Sequence, residues 1–92
     1  AQYNLGLVLM QEKNYAGAAQ AFQKAANLST NAPEPLFQLG QAYQQQNKPK
    51  EAIAAFQQAL KRNPNYVEAY YSLGLVEYYQ GNLDQALNAF RR

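Results

Sequence analysis

The chain repeats itself every 34 residues. Leu5-Gly6 returns as Leu39-Gly40 and Leu73-Gly74, Ala18 as Ala52 and Ala86, and Phe22 as Phe56 and Phe90. A fixed period of about 20–50 residues marks stacked copies of one supersecondary unit, each burying its apolar face against the next. The period therefore limits the fold to a quasi-linear stack. It also limits the function to what such a stack presents on its surface.

The unit reads as two helices. In the middle copy Leu36, Leu39, Gly40 and Tyr43 recur at helical spacing, which predicts a first helix from about Pro33 to Gln46. Pro33 and Pro35 fall in its first turn, where a missing N–H breaks no intrahelical bond. Asn47-Lys48-Pro49 is the break: asparagine tolerates the left-handed conformation that ends a helix, and proline suits the first position of the next. A second helix is predicted from Pro49 to Arg62, with Ala52, Ile53, Phe56, Ala59 and Leu60 on one face, stopped by Asn63-Pro64-Asn65. Lys13-Asn14 and Gly81-Asn82 are the matching turns in the flanking copies. Gly40 and Ala52 are small, which lets the paired helices approach closely, and Phe56 is expected to fill the gap toward the neighbouring unit. Alanine and glutamine dominate, and β-branched residues reduce to Val8, Thr30, Ile53, Val67 and Val76, so strands are not expected.

These residues resemble the tetratricopeptide repeat. The middle copy carries the whole pattern in Leu39, Gly40, Tyr43, Ala52, Phe56, Ala59 and Pro64. The first copy has Leu9 for the tyrosine and Thr30 for the proline, and the third has Glu77 for the tyrosine. Glu77 is expected at the solvent end of its helix or paired with Lys61 or Arg62. The resemblance implies an all-α, right-handed superhelical solenoid of antiparallel helix pairs, with about three repeats and six helices. The expected division is residues 1–32, 33–66 and 67–92 of a single array, the first copy clipped and the last truncated, as in a piece cut from a longer protein. First helices would line a concave face, as in family members that hold peptides or partner proteins there.

A second stripe runs beside the core stripe on each first helix, about 100° away per residue step. It comprises Tyr3, Leu7 and Met10, then Phe37, Gln41 and Gln44, then Tyr71, Leu75 and Tyr78, with Asn4 and Gln38 at the edge able to bond a peptide backbone. These are the expected groove residues, suited to an amphipathic helix or an extended apolar peptide. Family members that grip the C-terminal carboxylate of chaperones place lysine, asparagine and arginine on this stripe. Here Tyr3, Leu7, Glu34, Gln38, Glu68 and Ser72 stand there, so carboxylate gripping is not expected.

Composition removes other classes. With no histidine and no cysteine, the commonest general bases, metal ligands and thiol nucleophiles are absent. The glycines of the Leu-Gly pairs lie inside helices and form no phosphate loop, so neither catalysis nor a cofactor nor a metal is expected. The net charge is +2 with scattered basic residues, which argues against nucleic acid. No apolar run reaches 18 residues and no signal peptide is recognised, so direct membrane insertion is not expected; the compartment is left open, with a soluble, cytoplasmic setting slightly favoured. Two alternatives to a peptide groove remain. One is self-assembly, giving a homo-oligomer through uncapped terminal helices, with Leu83, Leu87 and Phe90 as the candidate contacts. The other is a non-catalytic segment of a larger enzyme or assembly factor.

Overall fold

The computed structural model describes residues 2–29 and 31–79, and among them every regular element is a helix. The order is α1 (Gln2–Gln11), α2 (Tyr15–Leu28), α3 (Glu34–Gln45), α4 (Pro49–Arg62) and α5 (Val67–Tyr79). Each helix packs on its sequence neighbour, so the chain stacks as a solenoid. The sixth helix expected from the sequence, and with it Leu83, Leu87 and Phe90, lies outside the described residues.

The helix pairs turn by one repeated device. Lys13 and Asn47 both take left-handed backbone, with φ of 63° and 60°. Behind them the Asn14 N–H donates to the Leu9 carbonyl at 2.8 Å, and the Lys48 N–H donates to the Tyr43 carbonyl at 2.9 Å. This closure satisfies the last carbonyls of α1 and α3 and reverses the chain within three residues. Asparagine suits the conformation; Lys13 accepts it at about 1 kcal/mol. The Asn14 side chain then caps α2 by accepting the Gly17 N–H at 3.1 Å. In the second unit Pro49 opens α4 instead. The helix predicted from Pro33 starts one residue later, because Pro33 takes the capping position and Glu34 begins the turn.

The small residues have a measurable partner. A Cβ on Gly6 would sit 2.5 Å from Cε1 of Phe22, and a Cβ on Gly40 would sit 2.5 Å from Cε1 of Phe56. The same ring atoms meet the same backbone in both units. Phe22 and Phe56 are wholly buried, each worth roughly 1.5–3 kcal/mol by transfer from water. Phe56 thus fills space inside its own unit over Gly40, and it also joins Leu73 and Val76 of the next. Alanines 18, 26, 42, 52, 59 and 69 are fully buried and set the close spacing of the helices.

Two side chains tie the units together. Arg62 donates from one guanidinium nitrogen to the carbonyls of Ser29 and Ala32, both at 2.9 Å, binding the end of α4 to the connection between α2 and α3. Gln46 donates to the Tyr15 carbonyl at 3.4 Å at the opposite end.

Glu77 departs from the expectation drawn from the sequence. It neither reaches solvent nor pairs with Lys61 or Arg62: it is 7% exposed, and its Oε2 has no hydrogen-bond partner among the described residues. Its place, one turn beyond Leu73 on the buried face of α5, accounts for the burial. It lies about 15 Å along the helix from Val67, whereas Lys61 and Arg62 lie just before the turn that leads into α5. Burial pushes the Glu77 carboxyl above its usual range.

Candidate functional site

A concavity of about 710 Å³ runs between α3 and α5. Phe37, Gln41 and Gln44 form one wall and Tyr71 and Leu75 the other. Helical spacing accounts for the arrangement: 37, 41 and 44 share one face of α3, as 71 and 75 share one of α5. Glu68 and the buried Ser72 extend the α5 wall, and Asn47 and Pro49 close the end beside the turn between α3 and α4. Tyr71 is 58% exposed despite its size.

Phe37 is a structural residue as much as a lining one. Its ring lies 5.8 Å from that of Phe56 and stacks on Tyr66 at 5.2 Å with an interplanar angle of 25°. Tyr66, in the connection before α5, is half-buried. Its phenol is made less acidic first by burial, then by the negative charges of Glu34 and Glu68, and last by Tyr3. The two carboxylates therefore act on one tyrosine hydroxyl. Helical periodicity gives no hint of Tyr66, because it sits in a turn and its counterpart one repeat earlier is Ala32.

The remaining residues of the expected groove are placed differently. Tyr3 tilts against Phe22 at 5.7 Å and, with Glu34, Leu28 and Pro35, borders a second cavity of about 340 Å³. Leu7 and Met10 are partly buried against the core cluster that holds Phe22, Leu36 and Leu39. Asn4 is exposed, Gln38 is half-buried and Tyr78 is 54% exposed, and none of the three borders either cavity. On α1 the exposed apolar residues are Leu5 and Val8, at 48% and 51%. Leu5 differs here from its repeat equivalents Leu39 and Leu73, which are buried.

The site offers aromatic faces, aliphatic surface, amide groups and carboxylates. It holds no histidine or cysteine, and no group of three metal-ligating side chains occurs among the described residues. No described helix is long and apolar enough to cross a membrane.

Comparison with known proteins agrees with this architecture. Superposition on solved structures matches a crystal structure of MamA with a TM-score of 0.94 at 28% identity, covering 98% of this chain and 53% of that one. The second TPR of Spaghetti (RPAP3), bound to the HSP90 peptide SRMEEVD, matches with a TM-score of 0.93 at 20% identity, covering 98% and 83%. The Sgt2 TPR domain from Aspergillus fumigatus matches with a TM-score of 0.91 at 22% identity, covering 98% and 60%. The chain thus spans about half the length of the MamA chain it matches. No curated protein sequence matches it. Two models described as tetratricopeptide repeat match residues 1–63 and 37–92, each more than half of the chain. With the 34-residue period and the paired helices, these matches make the chain a member of the tetratricopeptide repeat family.

Proposed function

We propose that this chain is a non-catalytic interaction module that seats a peptide or a partner helix in the groove between α3 and α5, within an array divided at residues 1–32, 33–66 and 67–92. The observation that carries the reading is a groove of about 710 Å³ lined by Phe37, Tyr71 and Leu75, with the amides of Gln41 and Gln44 among them. Rings and aliphatic surface supply the burial that drives association, and the amides answer a bound backbone. That a repeat domain of the same fold holds the HSP90 peptide SRMEEVD supports this use of the architecture.

Site-specific photocrosslinking tests it. A photoreactive phenylalanine analogue replacing Tyr71 should capture partners that the same analogue at the exposed Gln20 of α2 does not. Identical capture from both positions would remove the groove from consideration.

A second reading rests on α1. Leu5 and Val8 expose apolar surface at positions where later units bury theirs, which fits end-to-end stacking of a second helix pair on α1. Sedimentation of Leu5→Gln/Val8→Gln beside the parent chain tests it: association lost in the variant supports it, and a monomeric parent at high concentration removes it.

A further inference from the structure

The charges of this chain are sorted by helix. α1, α3 and α5 contain no lysine or arginine; their only carboxylate side chains are Glu34, Glu68 and Glu77. α2 and α4 hold Lys24, Lys50, Lys61 and Arg62 against Glu51 alone. The net charge of +2 for the whole chain therefore conceals a groove wall of opposite sign. Glu77 is buried, which leaves Glu34 and Glu68 as the exposed charges of that wall.

These two occupy equivalent places, each in the first turn of its helix. A carboxylate there also complements the helix dipole, a local gain of roughly 0.3–1 kcal/mol. That gain does not explain their surroundings. Glu68 borders the main groove with Phe37 and Tyr71, while Glu34 borders the neighbouring cavity with Tyr3. Tyr66 stacks on Phe37, and the charges of Glu34 and Glu68 both act on its phenol. The groove thus sets the exposed Glu68 beside aromatic rings, the neighbouring cavity sets the exposed Glu34 beside Tyr3, and no lysine or arginine lines either cavity among the described residues. An anionic segment would meet like charge there without a donor cation. A lysine or arginine would find carboxylates for its head, ring faces for its charge and apolar surface for its stem.

We infer that the groove takes a cationic peptide: a segment with a lysine or arginine lying over Glu34, Tyr66 and Glu68, followed by apolar residues running toward Leu75. This rests on the groove reading above and adds the charge of its occupant.

Selection of a random 12-residue displayed peptide library on the immobilised chain tests it. The retained pool should be enriched in lysine and arginine together with apolar residues. A retained peptide should bind at least tenfold more weakly to Glu34→Gln/Glu68→Gln, and its affinity should fall as salt rises. Replacing its basic residue with norleucine should weaken binding to the unaltered chain equally, a readout independent of how the variant folds. A retained pool with no excess of basic residues, or with an excess of acidic ones, overturns the inference and leaves the groove standing. Retained peptides that bind Tyr71→Ala/Leu75→Ala as tightly as the parent would overturn the groove reading, and the inference with it.

Discussion

α4 and α5 are consecutive helices of nearly equal length with opposite relations to their own sequences. α4 buries Ala52, Ala55, Phe56 and Ala59 and exposes Lys50, Glu51, Gln57, Gln58 and Lys61. Each residue type lies where its polarity sends it. α5 buries Ser72 and Glu77 and exposes Val67, Tyr71 and Tyr78. A helix that obeys patterning is explained by the stack it supports. A helix that violates patterning in both directions carries requirements beyond the stack, and such conflicts gather at functional or strained positions.

The contrast breaks first at Phe56. This ring is wholly buried and belongs entirely to the packing side of the comparison. Phe56→Ala is expected to cost about 3–5 kcal/mol, a large part of the roughly 5–15 kcal/mol that holds a domain folded. Thermal unfolding followed by circular dichroism measures it. A loss below about 1 kcal/mol, the ordinary cost of a point substitution, would mean that α4 does not anchor the stack.

Gly40→Ala probes the same contact from the other side. The added methyl would meet Cε1 of Phe56 at 2.5 Å, an overpacking of about 1–3 kcal/mol, offset by about 1 kcal/mol of helix propensity. The net loss should be about 0–2 kcal/mol and should recur for Gly6→Ala, since Phe22 stands at the same distance. Unequal losses in denaturant titrations would show that the two units are packed less alike than their geometry.

Packing of this kind is legible in the amino-acid sequence. Pro49 and Asn63-Pro64 bracket α4, whose ends agree with the prediction, and Asn47 takes the left-handed turn expected of it. Local chemistry determines those features. Tyr66 is not legible in the same way, because it stands in a turn outside any helical stripe, and its role depends on α3 and α5 arriving on either side. Periodicity marks Phe37 as a groove residue but does not show that its ring also packs on Phe56 and Tyr66. Glu77 departs from expectation for a similar reason: spacing identifies a face, and only tertiary packing decides whether that face is wet.

Glu77 sharpens the comparison through pH. Its folded-state pKa is raised by burial, so the folded chain holds this proton more tightly than the unfolded chain. As pH rises from the ordinary glutamate range through the raised value, the unfolded state loses its proton first and is favoured. Stability should therefore fall across that window, with no contribution from this group below it. Glu77→Gln, neutral throughout, should remove this component of the pH dependence and unfold at a higher temperature than the parent at about pH 7, above the ordinary glutamate range. Parent and variant with parallel melting-temperature profiles from about pH 4 to about pH 8 would show that the carboxylate is solvated.

The smallest stability effect is expected at Tyr71, and there the comparison turns from packing to binding. The residue is 58% exposed on the groove wall, so Tyr71→Ala should change stability by no more than about 0.5 kcal/mol. Tyrosine is nonetheless among the residues that dominate interfaces, because it brings a large rigid surface with few rotatable bonds. A peptide retained by the parent chain should therefore lose at least tenfold in affinity for the variant while the melting curve scarcely moves. The reverse outcome, a melting temperature lowered by several degrees with affinity unchanged, would place Tyr71 with the alanines of α4 as a component of the stack. The exposed rings of α5 would then belong to the solenoid's own construction, and the groove would have to be sought on another face.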